Sequence, residues 1–224
     1  MPDFPLAHWL AATVHVARQV LNEAERELAA GLATQDRPAS RFAAVALHWM
    51  LGLVHLARGD EARAIEEFER ELSFEHAGQL YARECAANTW YAIGALRLRQ
   101  GRMADADAAF ARALERVAAH PLARVGLAIA GGGPNDGDRR AKEQNRIAKA
   151  SAGHHPSVDA AIVHAALLVT AGAHDDAARV LDEALAGAPD GNAGWLLPIE
   201  PLLNVAARPD CWAHVLAHLR NRAT

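Results

Sequence analysis

Residues 7–18 read AHWLAATVHVAR, and residues 47–58 read LHWMLGLVHLAR. These two stretches lie 40 positions apart and share His, Trp, Val, His, Ala and Arg at matching places. A third related stretch begins near residue 89, where residues 89–101 read TWYAIGALRLRQG. Self-similarity at an interval of about 20–50 residues is the signature of stacked structural units. The repeat therefore decides the fold class, and we expect the chain to be built from successive copies of one helical unit.

The composition agrees with helix and excludes several other classes. The 224 residues are 51% hydrophobic, carry a formal net charge of −4 and include twelve histidines. This balance argues against disorder and against a chain built mainly to wrap nucleic acid. Alanine is abundant and β-branched residues are scarce, which favours helix over strand. We therefore expect a cytoplasmic all-α protein, and the Ala, Gly and Arg usage, with lysine only at positions 142 and 149, indicates a bacterial source.

Terminal and cysteine signals are also informative. The start, MPDFPLAHW, lacks the basic stretch and apolar core of a signal peptide, and no apolar run is long enough to span a membrane. Cys85 and Cys211 are far apart in sequence, so neither a disulfide scaffold nor a cysteine-rich zinc site is expected.

Small and large residues recur at fixed places in each unit. Trp90 is followed after two residues by Ile93 and Gly94, and Ala106 is followed after three residues by Phe110. This pattern resembles the tetratricopeptide repeat (TPR), a helix–turn–helix unit of 34 residues. The resemblance implies a TPR-like helical-hairpin solenoid of about five repeats. The predicted units cover residues 5–38, 45–78, 87–120, 119–157 and 158–191, and residues 195–224 are predicted to form C-terminal capping helices.

The close approach of paired helices gives a physical reason for the pattern. A helix crossing at short distance needs small side chains at the contact, and Gly52 and Gly94 supply them on the first helices. Phe68 and Phe110 are expected to fill the gap toward the next unit. Three further glycines are expected to end first helices with a positive φ, namely Gly59, Gly101 and Gly172.

The family resemblance implies that first helices line a concave groove. Rigid aromatic side chains bury much area at small entropic cost, so an aromatic ladder there suits an apolar peptide or a partner helix. The predicted groove residues are Trp9, Trp49, Met50, Leu53, Asn88 and Tyr91, with Arg99 and Arg124 as polar anchors. The alternative is that the rings pack inside, because the Trp position has moved by one residue in the first two units. The predicted function is that of a non-catalytic scaffold or adaptor that binds a protein or peptide.

A second surface carries a stripe of positive charge. Its members, spaced by 3, 4 and 3 residues, share one helix face: Arg139, Lys142, Arg146 and Lys149. The alternative function is a regulatory or sensor fragment that contacts nucleic acid or an acidic ligand through this stripe. No aromatic residues interleave it, which argues against single-strand binding, and a plain solvated face is a further interpretation. Pairing with the acidic segment 61–75 leaves self-association open.

The sequence contains no catalytic motif. It has no P-loop, nucleophile elbow or zinc-protease signature, so no catalytic residue and no cofactor is predicted. His214 and His218 are four residues apart, but a zinc site needs three or four ligands and no Cys or acid has matching spacing, so no metal site is predicted. Cys85 is expected to be a packed thiol.

Overall fold

The computed structural model of the chain describes residues 4–35, 46–76, 81–131, 141–142, 145, 157–189 and 191–223. This part of the chain contains α-helices and short 3-10 turns and no strand, as the composition predicted. Neighbouring helices in the chain pack against each other throughout. The helices are α1 (Pro5–Ala17), α2 (Leu21–Gln35), α3 (Leu47–Ala57), α4 (Glu61–Ser73), α5 (Ala82–Arg99), α6 (Met103–Arg116), α7 (Pro121–Ala130), α8 (Val158–Thr170), α9 (His174–Gly187) and α10 (Pro209–Arg222).

Phenylalanine–glycine contacts hold the second and third hairpins together. A Cβ atom placed on Gly52 of α3 would lie 2.4 Å from the Phe68 ring of α4. The Phe110 ring of α6 is enclosed in the same way by two glycines: added Cβ atoms would lie 2.6 Å away at Gly94 of α5 and 2.3 Å away at Gly126 of α7. Since real Cβ atoms do not approach this closely, α3, α5 and α7 can pack against these rings only because the three positions are glycines. The predicted close crossing is confirmed, and Phe110 joins its own hairpin to the next helix.

We expect Gly94→Leu to lower the free energy of unfolding by about 1–3 kcal/mol, because the added side chain overpacks the crossing against Phe110. Urea unfolding would measure the change. Ala108→Leu, on the exposed face of α6, is the matched control and should change stability much less. Equal effects of the two substitutions would contradict the packing of Gly94 against Phe110.

Three of the hairpin turns use glycine in the left-handed region. Gly59, Gly101 and Gly172 have φ of 80°, 71° and 79°, which confirms the predicted ends of the first helices. The corresponding residue of the first hairpin is Gln19, with φ of 62°. A left-handed conformation is unfavourable for a residue with a Cβ, so Gln19 needs compensating contacts. Its side-chain amide supplies one by donating to the carbonyl of Leu216, 2.7 Å away in α10.

Some predicted boundaries differ from the structure. Helix α5 begins at Ala82, before the predicted start of the third unit at residue 87. Helix α7 lies in the range predicted for the fourth unit, residues 119–157, and most of the rest of that range is outside the described residues.

The largest correction concerns residues 195–208, which were predicted to form capping helices. They form an irregular segment with two short 3-10 turns, at Leu197–Ile199 and Val205–Ala207, and only α10 is an α-helix. Pro198 and Pro201 explain the difference, because proline lacks the N–H of a helical hydrogen bond and clashes with the preceding turn. We call residues 195–204 the inner segment.

The inner segment lies in the interior of the molecule. All residues from Leu197 to Leu203 are buried. Ile199 packs in the apolar cluster built mainly by α1–α4 together with part of α5, whereas Leu197 and Leu203 pack in the cluster built mainly by α5–α10. The inner segment therefore connects two apolar cores.

The first and last described helices also touch. The guanidinium of Arg18, at the end of α1, donates to the carbonyl of Ala223, 2.6 Å away at the end of α10. Asn192, before the inner segment, donates to the hydroxyl of Thr13 in α1 at 2.8 Å. Together with Gln19, these contacts join the two ends of the hairpin series.

Candidate functional site

The predicted groove residues are mostly enclosed by the protein itself. Trp49 is 7% exposed, Tyr91 is 3% exposed, and Met50 and Leu53 are fully buried. Trp9 is half-buried, and the inner segment contacts α1 and α3 on the same side. The prediction of an open groove is therefore corrected: the inner surface of α1, α3 and α5 exists, but the chain's own inner segment fills it. These aromatic rings therefore follow the alternative interpretation, in which they pack inside the protein.

Trp195 of the inner segment packs between the two repeated tryptophans. Its ring centroid lies 5.5 Å from that of Trp9 and 6.5 Å from that of Trp49, and both pairs are edge-to-face. Such pairs add about 0.5–1.5 kcal/mol beyond the area that they bury. The Nε1 atoms of Trp9 and Trp49 are buried and have no hydrogen-bond acceptor among the described residues. The indole cluster is thus well packed but leaves two donors unpaired.

The buried carboxyl group of Glu200 makes a second contact between the inner segment and this surface. One oxygen of Glu200, Oε1, accepts hydrogen bonds from the Tyr91 hydroxyl and from the Leu202 N–H, the latter at 3.1 Å. The other oxygen, Oε2, is buried without a partner among the described residues. Burial raises the pKa of Glu200 to about 7, although the two hydrogen bonds oppose the change. Burial, with the adjacent Glu200, also raises the pKa of Tyr91, so its hydroxyl keeps its proton and acts as a donor.

His120 and Asn88 form a structural pair beside Tyr91. The Nδ1 atom of His120 accepts from the Ala123 N–H at 3.1 Å and caps α7, so the proton of the neutral ring lies on Nε2. That atom lies 3.0 Å from Oδ1 of Asn88 and donates to it. Burial lowers the pKa of His120 to about 4, which keeps the ring neutral. Asn88 is therefore engaged in holding α5 to α7, and the prediction that it faces a partner is corrected.

The two predicted polar anchors lie in different surroundings. Arg124 donates from Nε and Nη2 to the carbonyl of Ala118 at 3.0 and 2.8 Å, which ties it to the loop before α7. Arg99 is exposed and has no ion-pair partner in the part of the chain that the structure describes. It lines a small pocket with Pro198 and Glu200, which has room for about one water molecule. Of the two anchors, only Arg99 borders the inner segment.

Most of the basic stripe lies outside the described residues. Of its four members, Lys142 is described and is exposed on a helix, whereas Arg139, Arg146 and Lys149 are not among the described residues. The acidic segment 61–75 is partly solvated, with Glu66 and Glu69 exposed. Glu67 and Glu71 of α4 are buried, and the Glu71 carboxylate accepts from the Trp49 N–H at 3.1 Å.

Histidine–acid contacts between helices were not predicted from the sequence. Nδ1 of His8 lies 2.8 Å from Oε2 of Glu27, and Nδ1 of His48 lies 2.6 Å from Oε2 of Glu67. In each pair the glutamate follows the histidine by 19 residues, so the alignment of the first two repeats contains the information needed to predict the contact. Burial acts to raise the pKa of Glu67, but the hydrogen bond and charge of His48, together with Arg70, lower it overall.

The last helix uses its two histidines in the same way. Nδ1 of His214 lies 3.2 Å, and Nδ1 of His218 2.9 Å, from Oδ1 of Asp182 in α9. This acid was missed because it lies more than thirty residues away in sequence. No group of three His, Cys, Asp or Glu in the described ranges is arranged to hold a metal ion. Burial raises the pKa of Cys85 to about 12, so its thiol stays protonated.

Comparisons of the chain with protein-family models, with curated proteins and with solved structures found no match. Among the described helices, none is both long enough and apolar enough to cross a lipid bilayer.

Proposed function

We propose that the chain is a non-catalytic protein-binding module of TPR-like hairpins, which acts as a scaffold or adaptor. In this proposal the inner surface of α1, α3 and α5 binds an apolar segment of a partner protein, and the inner segment occupies that place when no partner is present. The proposal rests on the position of residues 195–200. Trp195 packs against Trp9 and Trp49, and the Glu200 carboxyl accepts a hydrogen bond from Tyr91. A surface that accommodates one short apolar segment has the shape and chemistry to accommodate another.

The titratable groups that follow are hydrogen-bonded or buried for structural reasons, which supports a binding function over a catalytic one. His120 uses both ring nitrogens in structural hydrogen bonds, and Glu71 caps the backbone at Trp49. Cys85 is held as a thiol by burial. A catalytic acid, base or nucleophile needs access to a substrate and a pKa near the working pH. Glu200 has such a pKa, but the pocket beside it has room for about one water molecule.

A peptide supplied in trans tests this proposal. The probe is a fluorescein-labelled peptide with the sequence of residues 193–202, and binding to the full chain is measured by fluorescence polarisation. We expect weak binding to the unaltered protein, because a site that is mostly occupied reduces the apparent affinity in proportion to the open fraction. Trp195→Ala weakens the internal occupant, so this variant should bind the peptide at least tenfold more tightly.

The matched control is Trp90→Ala. It removes a side chain of the same size, but the Trp90 ring lies under the guanidinium groups of Arg112 and Arg116 in α6. Its peptide affinity should equal that of the unaltered protein. A Trp195→Ala variant that keeps its helical circular dichroism but binds no peptide would overturn the proposed function.

A further inference from the structure

The inner segment makes its anchoring contacts at a fixed spacing. Trp195 enters the indole cluster, and Glu200, five residues later, accepts from Tyr91. A 3-10 turn connects the two, with the Leu197 N–H donating to the Gly194 carbonyl at 2.9 Å and the Ile199 N–H to Leu196 at 3.0 Å. Because the turn fixes the distance between Trp195 and Glu200, the ring reaches Trp9 and the carboxyl reaches Tyr91 at the same time only with this spacing.

The fit of the inner segment leaves polar groups without partners. The Nε1 donors of Trp9 and Trp49 and the Oε2 atom of Glu200 are all buried and unpaired among the described residues. A buried polar group without a hydrogen bond costs about 1–3 kcal/mol. Within the same described ranges, buried Nε1 atoms without a partner also occur at Trp90 and Trp212, so the defect that belongs to the inner segment itself is Oε2 of Glu200. To that extent the inner segment is an imperfect occupant, and a segment that leaves no such atom unpaired would bind the same surface more strongly.

The inner segment has one advantage over a separate peptide, which is that it belongs to the same chain as the surface it binds. A short tether gives a segment an effective concentration in the millimolar range, and a free competitor must exceed this advantage. A partner achieves this when it provides counterparts of Trp195 and Glu200 and pairs the groups that the inner segment leaves unpaired. The chemistry of the inner segment thus indicates what such a partner carries.

We propose that the partner of this surface presents an apolar segment with an aromatic residue followed, at the fifth position, by a carboxylic acid or carboxamide side chain, and that this segment displaces residues 195–200. The inference rests on the proposed function and specifies its partner. Trp9 and Trp49 select the aromatic residue, and the Tyr91 hydroxyl selects the hydrogen-bond acceptor.

Three peptides test the spacing and the acceptor on the full-length Trp195→Ala protein. The first has the sequence of residues 193–202, the second carries leucine in place of its glutamate, and the third contains one additional glycine between the proline and isoleucine that correspond to Pro198 and Ile199. We expect the second and third peptides to bind at least tenfold more weakly than the first. Adding Tyr91→Phe should reduce the difference between the first and second peptides to about twofold or less.

The outcomes separate this inference from the proposed function. Equal binding of all three peptides would overturn the required pattern and leave a general apolar binding surface. Absence of binding by every peptide to a folded Trp195→Ala protein would overturn both proposals. An unchanged preference for the first peptide over the second after Tyr91→Phe would show that Tyr91 does not select the acceptor.

A measurement on the unaltered protein covers the case in which Trp195→Ala does not fold. The Leu202 N–H is in the buried part of the inner segment and is bonded to the Glu200 oxygen that also accepts from Tyr91, so its hydrogen exchange reports whether the inner segment is in place. A large excess of the first peptide should accelerate exchange at this amide at least tenfold, whereas the third peptide should not. Unchanged exchange with the first peptide, or equal acceleration by both, would overturn the inference.

Discussion

Replacing Phe110 with alanine is expected to lower the free energy of unfolding by about 3–5 kcal/mol, the range typical of a buried Phe→Ala change. The ring is fully buried and lies against Gly94 and Gly126, which belong to helices on either side of α6. Its removal leaves a cavity that neither glycine can fill. Urea unfolding followed by circular dichroism measures the loss. Phe4→Ala is the control, since Phe4 is 44% exposed and should cost far less.

A second substitution shows whether the two glycines account for the effect. Gly126→Ala adds a Cβ that would lie 2.3 Å from the Phe110 ring, so alone it should destabilise the protein. In a Phe110→Leu background the smaller side chain leaves room for that Cβ. The double variant should therefore lose less stability than the sum of the two single changes. Simple additivity would contradict direct contact between residues 110 and 126.

The second large effect concerns the pH dependence of stability through Glu200. Its pKa is about 7 in the folded protein, against an ordinary value of 4.5, because burial disfavours the charged carboxylate. Between these two pH values the folded protein retains a proton that the unfolded chain has released. This group therefore causes stability to fall as pH rises from about 4.5 to about 7, with no further change above that. Since one pH unit corresponds to about 1.4 kcal/mol, the full effect is about 3 kcal/mol.

Glu200→Gln removes this dependence, because an amide does not ionise and its oxygen still accepts from Tyr91 and Leu202. We expect the variant to gain stability relative to the unaltered protein as pH rises, with little difference near pH 4.5 and about 3 kcal/mol at pH 8. Urea unfolding at several pH values measures this difference. Glu67→Gln is a control of opposite sign, since the pKa of Glu67 is lowered and its carboxylate stabilises the fold above about pH 4.5. A difference for Glu200→Gln that does not vary with pH would contradict the buried, uncharged carboxyl.

The hairpins could be predicted because their determinants repeat locally. Gly52 with Phe68, and Gly94 with Phe110, are each 16 residues apart, so one alignment shows the crossing twice. The left-handed Gly59 follows from the same alignment. Helix pairs that are close in sequence depend on side-chain size at a few periodic positions, and this information is contained in the pattern.

The occupied inner surface could not be predicted in the same way. The bond between Tyr91 and Glu200 joins residues 109 positions apart and has no counterpart in the other described hairpins. Residues 195–208 have no counterpart in the repeats, so their contacts leave no periodic signal. Two local signals were present but were not used: the prolines at positions 198 and 201, which disfavour a capping helix, and Pro121, which follows His120 at the start of α7. No residue in the sequence indicated that Trp195 would lie between Trp9 and Trp49.

The joined ends of the hairpin series have a consequence for how the protein melts. In an open array of repeats each unit contacts only its neighbours, so terminal units fray and partly unfolded species are populated. Here Arg18 and Gln19 are bonded to the last helix, and the inner segment is shared by both apolar cores. Loss of any one hairpin would therefore expose surface on the others. Calorimetry should accordingly record a single transition, with equal calorimetric and van't Hoff enthalpies, as for a small cooperative domain.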